Sequence, residues 1–182
     1  STSFITLLQK LYKASVSSDK VRGDSRKFSA SKVTDGKSDT YWTVNDQDKT
    51  GSITIDLGKE MPFNRFLVQE YIRLGQRVRN FTVEYMQDGE WKKIIDATTI
   101  GYKRILYFPT VSSQFIRFTV TDSRACPVIS NIEIYRAPQI LDAPAVWRQK
   151  DGKVSIHPAD QESEVYYTLD GSVPTTASAK YE

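Results

Sequence analysis

The 182-residue chain sets 25 Lys and Arg against 22 Asp and Glu, with 39% hydrophobic and 26% charged residues. That balance excludes a disordered tail. With a net charge of only +3 and both signs interleaved, it also lacks the basic stripe of a nucleic-acid binder, so no nucleic-acid partner is expected. One cysteine, Cys126, excludes an intrachain disulfide, and no apolar run is long enough to span a membrane.

Residues 3–13 place Phe4, Leu7, Leu8, Leu11 and Tyr12 on one face of a helix, with Ser3 as N-cap. The segment 1–15 is therefore read as an N-terminal helix and linker. Ser15 to Asp24 is polar and turn-like, and Phe28 to Val33 reads as a short strand. Ile53, Ile55 and Leu57 alternate with Thr54 and Asp56 in a strand ending at Gly58. Pro62 breaks the chain before a strand from Phe66 to Gln69. Asn80 to Tyr85 alternates cleanly, turns at Gln87-Asp88-Gly89 and returns from Trp91 to Ile95 as a hairpin. Further strands are Ile105 to Phe108, stopped by Pro109, then Ile116 to Val120, and Val128 to Tyr135. An aromatic content of 12% suits such pleated packing. About eight short strands without intervening helices predict an all-β, antiparallel β-sandwich. Ala137-Pro138 and Ala143-Pro144 bracket a linker, 138–143, before the start of a second small β domain, 144–182. At about forty residues that part is too short to bury a stable core unaided. The chain opens and stops abruptly and reads as a fragment of a longer protein.

TDGKSDTYW (Thr34 to Trp42), SITIDLG (Ser52 to Gly58), QFIRFTVT (Gln114 to Thr121) and SNIEIY (Ser130 to Tyr135) resemble the coagulation factor V/VIII type C, or discoidin, fold, which includes the family 32 carbohydrate-binding modules. VRG (Val21 to Gly23), DTYW (Asp39 to Trp42), QEYIRLGQRV (Gln69 to Val78), TTIGYKRIL (Thr98 to Leu106) and DSRACPVIS (Asp122 to Ser130) are similar to the C-terminal region of glycoside hydrolase family 29 α-L-fucosidases. The resemblance implies an eight-stranded discoidin-like jelly roll over 16–137. The tail from Glu164 to Tyr181, with its YTLDGSVPT core, resembles the Ig-like C-terminal domain of chitobiases and hexosaminidases.

In such fucosidases catalysis belongs to an upstream barrel, and retaining glycosidases need two carboxyls about 5 Å apart. No such pair is recognised here, so the fragment itself is expected to be non-catalytic and its parent an α-L-fucosidase. The resemblance makes the parent periplasmic or extracellular. Cys126, beside Pro127, reads as a small buried hydrophobe, and His157 as a surface or loop residue.

Two candidate sites follow. Sugar rings stack on aromatic faces while their hydroxyls seek polar partners. Tyr71, Arg73, Gln76 and Arg77 in one loop, Trp42 and Asn45 in another, and Arg124 could hold a galactoside or fucosylated glycan. Alternatively Trp42 and Trp91 are core, and Arg73, Arg77, Tyr102, Lys103 and Arg104 face the catalytic barrel as a brace. A third reading, an adhesion or membrane-binding discoidin domain, calls for apolar loop spikes and a disulfide, which this sequence does not supply. The second site is calcium. The Asp35 loop is dense in hard oxygen donors, and the resemblance to family 32 modules implies a structural ion held by Val33, Asp35, Lys37 and Thr40 with the closing strand. The glutamate usual in that strand falls on Asn131, with Glu133 two residues on. The alternative is an Asp-Gly turn in which Asp35 bonds its own backbone.

Overall fold

A computed structural model of the chain describes residues 15–137, 144–157 and 164–181. The helix expected over 3–13 and the linker 138–143 lie outside the described residues. The chain divides into two units between Ala137 and Pro138.

The first unit is built from β1 (Ser15–Ser18), β2 (Trp42–Thr43), β3 (Gly51–Glu70), β4 (Val78–Gln87), β5 (Glu90–Thr98), β6 (Arg104–Ser123) and β7 (Val128–Tyr135). They pair antiparallel in the order β2-β7-β3-β6-β4-β5, with β1 added to β3. A straight strand as long as β3 or β6 would run about 66 Å, far longer than a small domain is wide, so both must bend. Register between them shifts at Asp56/Met61 and again at Phe63/Arg65. Such bulges bend a strand. Both halves of β3 therefore feed one core: Ile53, Ile55, Phe66 and Val68 are buried in a single cluster. Phe118 of β6 contacts Phe66 and Phe81 at centroid separations of 6.0 and 5.4 Å. The result is a discoidin-like β-sandwich.

Three local expectations are corrected. Pro62 and Pro109 do not end their strands. Pro62 sits between the two register shifts, opposite Ser112, and Pro109 within the second, beside and at the kind of irregularity where a strand tolerates proline. Phe28 to Val33 is not a strand but two short 3-10 turns, Arg26–Phe28 and Ala30–Val33, the first capped by the Ser25 hydroxyl accepting from the Lys27 N–H. Ser15 to Ser18, which reads as turn, is the edge strand β1, whose Val16 packs on the core. The hairpin turn falls where expected, with Asp88 and Gly89 at φ of 53° and 79°, the positive values that a tight hairpin requires.

The second unit contains two small antiparallel pairs, β8 (Ala145–Arg148) with β9 (Val154–His157), and β10 (Tyr166–Tyr167) with β11 (Ala179–Lys180). His157 is exposed at the end of β9, edge-on to Trp147 at 5.1 Å.

Candidate functional site

Where β3 ends, the chain leaves the sheet through Tyr71 and a 3-10 turn, Ile72–Leu74, before β4 begins. This loop, the segment 36–38, Tyr102 and Lys103, and Ser130, Asn131 and Glu133 of β7 enclose a cleft of about 550 Å³. Glu70 fixes its shape. It is 2% exposed. Its Oε1 accepts from the N–H groups of Arg77 and Val78 at 2.7 and 2.9 Å, and its Oε2 from Gly101 N–H at 3.1 Å. One carboxylate thus ties the loop after β3 to the loop before β6. Burial pushes the Glu70 carboxyl above its ordinary value, against the pull of those three N–H donors and the Arg77 charge.

Tyr71 projects from this loop onto a row of rings. It lies 4.8 Å from Tyr41, which lies 5.5 Å from Phe28, with Lys27 over the Phe28 ring at 5.3 Å. The Tyr71 N–H donates to the Val128 carbonyl at 3.0 Å. Its ring is thereby held by packing and its backbone by the sheet, which lowers the entropy lost when a ligand stacks on it.

Of the sequence-predicted sugar residues, Tyr71 and Arg73 line the cleft. Gln76 and Arg124 are exposed outside its wall. Asn45 is elsewhere, accepting from Gly23 N–H at 3.0 Å beside the Arg22–Asp46 ion pair. Trp42 is corrected: it is 0% exposed, and its Nε1 donates to the Lys20 carbonyl at 2.9 Å. A fully buried indole offers no face to a sugar. Arg77 is also corrected. Its guanidinium donates to the Leu74 carbonyl, the Cys126 carbonyl and the Cys126 Sγ at 3.2, 3.0 and 2.9 Å. It clasps the loop rather than reaching outward. Cys126 is buried as expected, yet its sulfur also accepts from Arg22 Nη2 at 3.2 Å. Sequence reasoning missed Glu70 and Tyr41. The available signal was a lone acid ending the apolar run Phe66-Leu67-Val68 and a ring beside Trp42 in the DTYW motif.

In the calcium candidate, Asp35 Oδ1 accepts from Lys37 N–H at 2.9 Å, and its two oxygens accept from the Thr40 hydroxyl at 2.9 and 2.8 Å. This is the Asx turn of the alternative reading. Asn131 turns its amide N–H groups to Gln69 Oε1 and Glu133 Oε1, at 2.8 and 2.9 Å. Among the described residues no three His, Cys, Asp or Glu side chains gather as a metal cluster. The donors that remain, one carboxylate, one hydroxyl and the carbonyls of Val33 and Lys37, are all oxygen and fit a weak hard-cation site at most.

The family model of the F5/8 type C domain matches residues 13–134. The chain belongs to the F5/8 type C domain family. Residues 148–182 match the chitobiase/beta-hexosaminidase C-terminal domain. Alpha-L-fucosidase 1 of Arabidopsis thaliana is 32% identical over 127 residues, which are 68% of this chain and 25% of that protein. A family 29 fucosidase of Ruminococcus gnavus, solved in complex with fucose, superposes with a TM-score of 0.66 at 34% identity, over 72% of this chain and 27% of that one. Chitosan-binding module 1 of a Paenibacillus sp. IK-5 chitosanase/glucanase shares the fold, with a TM-score of 0.60 at 18% identity over 69% of this chain and 96% of that module. The chain spans about a quarter of the length of the fucosidases it matches, and the matched part is their non-catalytic C-terminal region.

Proposed function

We propose that this F5/8 type C domain is the carbohydrate-binding accessory module of a periplasmic or extracellular α-L-fucosidase, taking a galactoside or fucosylated oligosaccharide in the Tyr71 cleft. The observation that supports this most is the pairing of a ring packed against Tyr41 with polar side chains across a cleft of about 550 Å³, an apolar platform with a few polar groups. Tethered to a catalytic barrel, such a site raises the local concentration of glycan by linked binding. Titration calorimetry against galactosides and fucosylated oligosaccharides tests it. Tyr71→Ala and Arg73→Ala are each expected to weaken binding about tenfold or more while the domain stays folded. Silence from the folded wild-type domain across a glycan array would sink the reading. It would favour a structural brace on the upstream barrel, a role to which the exposed Ile72 and Leu74 of the same loop, 42% and 44% accessible, would suit an apolar contact.

The Asp35 loop is proposed in addition to take a structural calcium through Asp35, Thr40 and the carbonyls of Val33 and Lys37. With a dissociation constant of about 10⁻⁴–10⁻³ M, as in weak extracellular sites, 10 mM calcium chloride should stabilise the domain by about 1.4–2.7 kcal/mol. Asp35→Ala should abolish that gain in a thermal melt. An unchanged melting temperature of the wild type with and without calcium would leave the loop as a plain Asx turn.

A further inference from the structure

The walls of the Tyr71 cleft carry three cations against two carboxylates. Lys37, Arg73 and Lys103 all line it. Among the described residues none of these three side chains makes a hydrogen bond, ion pair or ring contact. Two carboxylates, Glu70 and Glu133, share the wall with these three cations, and Asp35 and Asp39 lie on the neighbouring loop. Glu70 takes three backbone N–H groups, Glu133 Oε1 takes the Asn131 amide at 2.9 Å, and Asp35 beside the rim takes Thr40 and the Lys37 N–H. Two tyrosines share the space, Tyr71 and the 66% exposed Tyr102.

Resting on the glycan-binding reading of this cleft, we propose that its ligand is an anionic sugar, one that bears a sulfate or a carboxylate. The physical reason is complementarity. Unpaired cations around a concave wall reinforce one another and draw in an anion, because field lines concentrate in a cleft with low-dielectric walls. Arg73 offers a planar fork that matches carboxylate or sulfate oxygens, and the two lysines add point charges on flexible stems. The tyrosines then receive the C–H face of the ring. A nucleic acid is disfavoured because these cations form one local cluster in a chain of net charge +3, not a stripe that tracks a phosphate backbone. The chitosan-binding relative shares the fold alone at 18% identity, and a cationic amino sugar would meet three unpaired cations here.

The test is titration calorimetry of the whole chain against three matched fucosylated oligosaccharides, one neutral, one sulfated and one bearing a uronic acid, with a glucosamine oligomer as the cationic counterpart. At 50 mM NaCl at least one anionic member should bind about tenfold more tightly than the neutral one, and the margin should shrink at 500 mM as salt screens the charges. Preference for the sulfated or for the carboxylated member identifies the source of the charge. Lys37→Gln and Lys103→Gln should each lower anionic affinity about 2–5-fold with little change for the neutral sugar. Lys92→Gln, on the β5 edge strand, should change neither. Equal affinity for neutral and anionic members overturns the charge preference and leaves the glycan-binding reading standing. An equal loss from Lys92→Gln overturns it as well, since net charge and not the cleft would then be responsible. Silence toward all four overturns both.

Discussion

Trp42→Ala is expected to destabilise the sandwich by about 3–5 kcal/mol, as for other truncations of buried aromatics. A domain of this kind has only about 5–15 kcal/mol to lose, so the variant should be partly unfolded in mild denaturant where the wild type is intact. The indole lies wholly in the core, on the β2–β7 pair opposite Ile129. It fits so closely against Gly51 that a Cβ on that glycine would come within 2.8 Å of the Trp42 Cη2. Truncation leaves a void that strands held by the ladder cannot close, and it orphans the Lys20 carbonyl that Nε1 now satisfies. Trp42→Phe keeps most of the apolar volume and should lose about 1–2 kcal/mol, mainly the hydrogen bond. Urea unfolding followed by far-ultraviolet circular dichroism separates the two variants. If Trp42→Ala were as stable as wild type and merely lost sugar affinity, the ring would have to be a ligand platform and its placement in the core would be wrong.

Glu70→Ala should cost about 3–5 kcal/mol, because buried N–H groups left without an acceptor cost about 1–3 kcal/mol each and the freed loops recover part of that by reaching water. It strips the acceptor from three N–H groups at once. Glu70→Gln is milder, about 1–3 kcal/mol for one unsatisfied group, because the amide can keep an oxygen toward Arg77 and Val78 while its NH₂ opposes Gly101 N–H. Both variants should speed amide exchange in the loops 71–78 and 99–101 and weaken any ligand of the cleft between them. Protection unchanged in those loops would show that Glu70 does not hold them. The pH dependence has a definite sign. Burial raises the folded pKa above the ordinary 4.5, so the native state keeps its proton to higher pH than the unfolded chain. The stabilisation from this group is fully present below the ordinary value and is lost as pH rises through the raised folded one. The stability gap between wild type and Glu70→Gln should therefore narrow across that window. A gap that widens with rising pH would mean that the three N–H bonds outweigh desolvation.

Alternation of Ile53-Ile55-Leu57 and of Phe81-Val83-Tyr85, the Asp88-Gly89 turn and the absence of helical periodicity after residue 15 were enough to determine an all-β sandwich, since a period-two pattern has only one way to bury its apolar face. The motifs from Val21 to Ser130 likewise pointed to the discoidin fold of a fucosidase C-terminal region. Strand continuity was a different matter. Pro62 and Pro109 read as breaks because local chemistry forbids a ladder bond there, and only the pairing of β3 with β6 reveals that each falls at or beside a bulge. The site divided in the same way. Tyr71 and Arg73 were legible as a loop ring beside a loop cation. Trp42 and Arg77 carry the same chemistry, yet one is enclosed by Gly51 and Ile129 and the other is claimed by Leu74 and Cys126. Composition fixes which side chains could bind a ligand, but burial and prior hydrogen bonding decide which of them remain free. Those depend on contacts between residues far apart in the chain, such as Arg77 with Cys126 and Glu70 with Gly101. The sequence by itself determined the layer architecture and the family; the tertiary structure alone decided which loops close the cleft, because one buried carboxylate joins them.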